Sequence, residues 1–180
     1  MPTKIFIDGA AGTTGLGILA RLKAQRGIEL LSLPTKHRKD PGAKRALMQQ
    51  AGIVVLCLPD DAAREAVAIA AALGEKGPRV LDASTAHRVA KGWTYGFPEL
   101  EPGQAEAIEK AKFVANPGCY ATGAIALLRP LVDKGLLPAD YPVSIHAVSG
   151  YSGGGKRMIA DYECGSAPAF EAYALDLEHK

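Results

Sequence analysis

Lys4-Ile5-Phe6-Ile7-Asp8, followed at once by Gly9-Ala10-Ala11-Gly12-Thr13-Thr14-Gly15, is the stretch on which the fold turns. Its first five residues, rich in β-branched and aromatic side chains, predict a short buried strand that Gly9 ends. From Thr13 to Arg26, the apolar residues Leu16, Leu19, Ala20 and Leu22 share a helical face, so a helix follows. Glycines three apart between a strand and a helix each have a physical use: a tight turn, close approach of backbone to a pyrophosphate, and close helix–strand packing. The helix N-terminus adds free N–H groups and a partial positive charge. Gly9, Ala11, Gly12, Thr13, Thr14 and Gly15 are therefore the candidate cofactor-binding positions. The competing reading is a plain structural turn, since glycine triplets also arise by chance.

Outward from this unit, Glu29–Leu33 predicts a second strand closed by Pro34, and residues 36–45 a basic, polar loop. Ile53–Leu58 is a fully apolar third strand. Pro59 breaks it, Asp60 or Asp61 is placed to cap, and Ala62–Leu73 is an Ala-rich helix. Val80–Asp82 is a fourth strand. This alternation calls for a doubly wound parallel α/β sheet of the Rossmann type. Beyond residue 85 the pattern weakens: a loop over 92–104, a helix over 104–110 and a strand over 112–115. Asn116-Pro117-Gly118 then opens an apolar helix from Cys119 to Val132, and Val143–Val148 is a further strand. Residues 1–118 read as the dinucleotide domain. Residues 119–180 read as the beginning of a mixed α/β catalytic domain that is cut short.

Composition excludes several classes. The chain has 180 residues, 48% hydrophobic and 22% charged, as ordinary globular proteins do. Twenty-one Lys plus Arg against 19 Asp plus Glu leave a net charge of +2, without the basic excess of a nucleic-acid or membrane-surface binder. The three cysteines form no Cys-x-x-Cys pair, which fits free thiols in a reducing cytoplasm. No signal peptide is expected, because the sequence runs straight into a strand-like KIFIDG. The longest apolar run, Ala66–Leu73, falls far short of the ~20 residues of a membrane span. No two histidines have metal-ligand spacing, so no metal is expected.

The second strand ends in Ser32-Leu33-Pro34-Thr35-Lys36-His37-Arg38-Lys39. An NAD site expects a carboxylate there for the ribose hydroxyls; this segment has none and carries three fixed cations. Lys and Arg attract a 2′-phosphate, so Ser32, Lys36 and Arg38 point to NADP(H). The alternative is a solvated basic loop.

Among the thiols, Cys57 lies in an apolar strand and reads as inert core. Cys164 stands beside Glu163, in acidic surroundings expected to raise its pKa. Cys119 follows Asn-Pro-Gly and opens a helix, where the dipole favours thiolate. That placement suits a covalent nucleophile, with the local N–H groups and the Asn116 amide able to hold an oxyanion. A buried structural cysteine is the competing reading.

DGAAGTTG, LDASTAHRV, YGFPEL, NPGCYATG and SGYSGGGK, in this order and spacing, resemble the shorter-chain N-acetyl-gamma-glutamyl-phosphate reductase family, within the aspartate-semialdehyde dehydrogenase-like superfamily. The resemblance covers essentially the whole chain. It implies that Cys119 attacks an acyl phosphate, expels inorganic phosphate and holds a thioester that NADPH reduces to the semialdehyde in arginine biosynthesis. It implies that Arg88 orients the substrate's phosphate or carboxylate, and that Asn116, Ser149 and Gly150 lie near the cysteine. It also implies a general acid/base histidine, for which His179 is the candidate, and a homo-oligomer at full length. Members of the family are longer, so the chain is expected to end early in the catalytic domain.

Four other readings are weighed against the same residues. A short-chain dehydrogenase needs Tyr-x-x-x-Lys, and no tyrosine has Lys four positions on. A P-loop would use Gly150–Lys156, but Arg157 stands where Ser or Thr should hold Mg²⁺. A non-catalytic dinucleotide-binding module, or a related reductase of another acyl phosphate, fits the same residues.

Overall fold

The computed structural model describes residues 1–172. Its centre is a six-stranded sheet: β1 (Thr3–Asp8), β2 (Ile28–Leu31), β3 (Ile53–Leu56), β4 (Arg79–Asp82), β5 (Thr94–Tyr95) and β6 (Phe113–Ala115). The order is β2-β1-β3-β4-β6-β5 and every pairing is parallel. Helices α1 (Thr13–Lys23), α2 (Pro41–Met48), α3 (Asp60–Ala71), α4 (Gln104–Lys110), α5 (Cys119–Asp133) and α6 (Gly155–Glu163) complete the chain.

Period-two alternation divides β1 between two cores. Ile5 and Ile7 join Val55 on the face covered by Ile18, Leu19 and Leu22 of α1. Phe6 joins Val54, Leu56 and Val80 on the opposite face, covered by Met48 at the end of α2 and Ala66 and Ala70 of α3. The chain turns to one side after β1 and to the other after β2, so the switch point lies between β1 and β3. Crevices outside the carboxyl ends of the strands at such points are where open α/β sheets hold ligands.

Four expectations need correction. The stretch over 36–45, expected as a basic loop, contains the start of α2. Asp40 is its N-cap, accepting from Gly42 N at 2.8 Å and Ala43 N at 3.3 Å, and Pro41 supplies the pre-set first position. The run of charges hid that signal. Asp60 and Asp61 do not cap α3; Pro59 stands at the N-cap, and the Asp60 carboxylate turns to Thr85 instead. Residues 143–148 form no strand. They have no ladder partner among the described residues, and Val143, Ile145 and Val148 are exposed. The loop over 92–104 holds the two-residue edge strand β5, to whose Tyr95 carbonyl the buried Gln104 amide donates.

Candidate active site

Because the sheet is parallel, the segments that follow β1, β2, β3, β4 and β6 all leave from one edge. At β1, Gly9 takes a left-handed φ of 89°, and Gly12 N donates to Gly9 O at 3.0 Å. A side chain on Gly9 would run into the Cys57 carbonyl, and one on Gly15 into the Gly9 backbone. Gly12 is the N-cap of α1, and no side chain caps that end. The N–H groups of Thr13, Thr14 and Gly15 therefore lack intrahelical acceptors, and no acidic residue stands in the first turn. Ala11 and Gly12 are half-buried, while Thr13 and Thr14 are exposed. This cradle, closed to side chains and lined by N–H groups, fits a dinucleotide phosphate.

Beyond β2, Ser32, Lys36 and Arg38 are exposed, the latter two around a short 3-10 turn, Thr35–His37. Next to the glycine turn, where α6 packs on α1, a Cβ added to Gly155 would come within 4.0 Å of Thr13 Oγ1. The two glycine clusters are therefore neighbours.

At the end of β4, the fully buried Asp82 organises the connection to β5. Its Oδ1 accepts Ser84 N at 3.0 Å; its Oδ2 accepts Ser84 Oγ at 2.6 Å and faces His87 Nδ1 at 2.6 Å. A carboxylate only accepts, so the imidazole N–H donates. His87 stacks on Trp93 at 4.2 Å, and Trp93 tilts against Phe113 of β6. Asp60 pins the same connection, accepting Thr85 N at 3.1 Å and Thr85 Oγ1 at 2.7 Å.

Arg88 follows, half-buried, and its Nε donates to the Asn116 carbonyl at 3.3 Å. Asn116 N donates to Asp82 O at 2.7 Å, and its side-chain amide donates to the Pro117 carbonyl. Cys119 is exposed and is the first residue of the 15-residue α5. No acidic residue shares that first turn, and Thr122 closes it with its N–H and hydroxyl on the Gly118 carbonyl. The structure thus joins Arg88 to Asn116, which stands three residues before Cys119 in the chain. The glycine turn lies three strands away on the same edge, about 14 Å at ~4.8 Å per strand.

Ser149 and Gly150 are exposed, in a segment without regular structure. Ser149 Oγ donates to the Gly150 carbonyl, and the structure records no contact between these residues and Cys119. His179 lies outside the described residues. The other two thiols lie elsewhere in the chain. Burial, aided by Asp82 and Asp8, pushes the Cys57 thiol up from its ordinary 9.0 to about 11. Cys164 departs from expectation: its pKa is lowered, because the Ser166 hydrogen bond outweighs the nearby Asp161 charge.

The sequence reading gives Asp82 and His87 no role in the site, and Asp60 only that of a helix cap. Asp82-Ala83-Ser84-Thr85-Ala86-His87 did hold a signal, an acid at a strand's carboxyl end followed by short hydroxyl side chains that bond back to it. The partnership of Asp60 with Thr85, 25 residues apart, leaves no such trace.

A family model described as the semialdehyde dehydrogenase NAD binding domain matches residues 4–111, and one described as the semialdehyde dehydrogenase dimerisation domain matches 119–180. The chain is 58% identical to a protein of Chelativorans sp. (strain BNC1) named N-acetyl-gamma-glutamyl-phosphate reductase, over 100% of this chain and 58% of that protein. It is 56% identical to N-acetyl-gamma-glutamyl-phosphate reductase 2 of Pseudomonas putida, over 98% of this chain and 56% of that protein. The chain therefore spans little more than half the length of these relatives. Among solved structures, aspartate semialdehyde dehydrogenase from Francisella tularensis superposes with a TM-score of 0.63 at 18% identity, covering 88% of this chain and 48% of that one. The enzyme from Candida albicans, solved with NADP, gives 0.53 at 20% identity over 74% of this chain and 48% of that one. At such identities the likeness is one of fold.

Proposed function

We propose, for a chain that belongs to the semialdehyde dehydrogenase family, that its residues carry the NADPH-dependent reduction of N-acetyl-γ-glutamyl phosphate to N-acetylglutamate semialdehyde and inorganic phosphate, a step of arginine biosynthesis. Relatives of that name at 52–58% identity support the substrate. The observation that carries the chemistry is Cys119, exposed at the head of α5 and on the same sheet edge as the Gly9–Gly15 turn.

In this reading the Cys119 thiolate attacks the acyl carbon. The C–O bond to phosphate breaks with its electron pair, leaving a thioester and free phosphate. Negative charge that develops on the acyl oxygen is met by N–H groups in the first turn of α5 and by the Asn116 amide. Arg88, tethered through Asn116, offers its planar guanidinium to the substrate's phosphate or carboxylate. The N–H groups at Thr13–Gly15 hold the dinucleotide phosphates, and Lys36 and Arg38 with Ser32 hold the 2′-phosphate. When bound, NADPH supplies the hydride that reduces the acyl group. Breaking of the C–S bond then releases the aldehyde and returns Cys119 to its thiolate. Ser149 and Gly150 as substrate contacts, and His179 as acid/base, rest on the resemblance alone.

We divide the chain into a dinucleotide domain, 1–118, and the opening of a catalytic and dimerisation domain, 119–180. A homo-oligomer in the cytoplasm belongs to the same proposal. The test is phosphate-dependent reduction of NADP⁺ by N-acetylglutamate semialdehyde, in protein of the length of the relatives. Cys119→Ser should abolish it and leave NADPH binding within a few-fold. Retained turnover would contradict the nucleophile, and a preference for aspartate semialdehyde would contradict the substrate.

A further inference from the structure

Asp8 is the last residue of β1, and Gly9 opens the phosphate turn. A carboxylate at this position borders the site proposed for two anionic phosphates. Asp8 shares a strand face with Phe6, which packs into the core on the α2–α3 side. From α2, Lys44 reaches it: Nζ stands 2.7 Å from Asp8 Oδ2, with the two side chains 12% and 7% exposed. At that distance the ammonium is the donor to Oδ2, and no other hydrogen bond to this oxygen is recorded among the described residues. A buried carboxylate oxygen with no other donor depends on its ion-pair partner for compensation. The other buried acid of this edge, Asp82, has three donors of its own.

We propose that Lys44 is a positioning residue that cancels the charge of Asp8 beneath the phosphate turn, and thereby sets affinity for NADPH and NADH alike. Discrimination by the 2′-phosphate stays with Lys36 and Arg38. The inference rests on the dinucleotide reading above. It explains why a buried acid is tolerated one residue before an anion cradle, and it gives α2 a task besides packing.

The experiment titrates the purified protein with NADPH and with NADH by fluorescence, without turnover. Lys44→Met should weaken both on the order of tenfold and leave their ratio unchanged. Asp8→Asn/Lys44→Met should return both to within about threefold of wild type, because the offending charge is gone. Where Lys44→Met alone fails to fold, Asp8→Asn decides: with Lys44 unopposed, it should bind both dinucleotides several-fold more tightly than the double variant. Equal affinities for Asp8→Asn and the double variant overturn the inference, as does a Lys44→Met loss confined to NADPH. A wild-type protein that binds neither dinucleotide overturns the dinucleotide reading itself, and the inference with it.

Discussion

Asp82→Asn should loosen the whole connection between β4 and β5, because one buried carboxylate organises it. The side chain has no exposed surface and accepts from Ser84 N, Ser84 Oγ and His87 Nδ1 at 3.0, 2.6 and 2.6 Å. Hydrogen bonds to a charged acceptor contribute about 1.5–3 kcal/mol each, neutral ones about 0.5–1.5. Asn keeps one oxygen acceptor for Ser84 N and turns an NH₂ toward the other two groups. The Ser84 hydroxyl can rotate to accept, and His87 must change tautomer to do so. About 1 kcal/mol is lost at each of three bonds, partly offset because a neutral amide costs less to bury than a carboxylate. A net loss of roughly 2–3 kcal/mol follows, read as a lower urea midpoint at unchanged slope. Asp82→Ala leaves three donors without an acceptor and should cost more, about 4 kcal/mol. A double-mutant cycle with His87→Asn should give a coupling of at least ~1 kcal/mol. An Asp82→Asn variant within ~0.5 kcal/mol of wild type, or a cycle that is additive, would refute the claim that this carboxylate holds the loop carrying Arg88.

Gly15→Ala drives a methyl group into the Gly9 backbone and should cost about 2–3 kcal/mol, with loss of NADPH binding; a thermal midpoint equal to wild type would contradict the packing described. Lys36→Ala/Arg38→Ala should weaken NADPH roughly tenfold or more and NADH hardly at all, measured by titration; equal loss for both would contradict the 2′-phosphate assignment. Cys57 bears on alkaline stability. Its folded-state pKa of about 11 lies above the ordinary 9.0, so between those values the unfolded chain ionises first and stability falls as pH rises. The thermal midpoint of wild type should therefore drop more steeply from pH 9 to 11 than that of Cys57→Ala, and parallel profiles would contradict the shift.

The sheet was legible because its signals are local. The apolar runs at Ile5–Ile7 and Ile53–Leu56, and the glycine punctuation after β1, specify strands and a turn without reference to distant residues. Cys119 was legible for the same reason: Asn-Pro-Gly ends one element and a strongly apolar helix begins at the cysteine. Helix α2 was missed because its capping Asp-Pro pair sits inside a run of charges that reads as solvated loop, although Lys44 is turned inward. The strand expected over 143–148 failed for the opposite reason. Alternating apolar residues describe what a strand would bury, but a strand also needs a neighbour to pair with. The Asp82–His87–Trp93 set and the Asp60–Thr85 pair depend on tertiary contacts that spacing does not encode, and so the wiring that joins Arg88 to Asn116 emerged only from the structure.

Mass spectrometry after mixing the protein with N-acetyl-γ-glutamyl phosphate, with no NADPH present, tests the nucleophile most directly. The account predicts a single acyl adduct on the peptide that contains Cys119, removed by hydroxylamine and absent from Cys119→Ser. An unmodified Cys119, or acylation spread equally to the exposed Cys164, would contradict it.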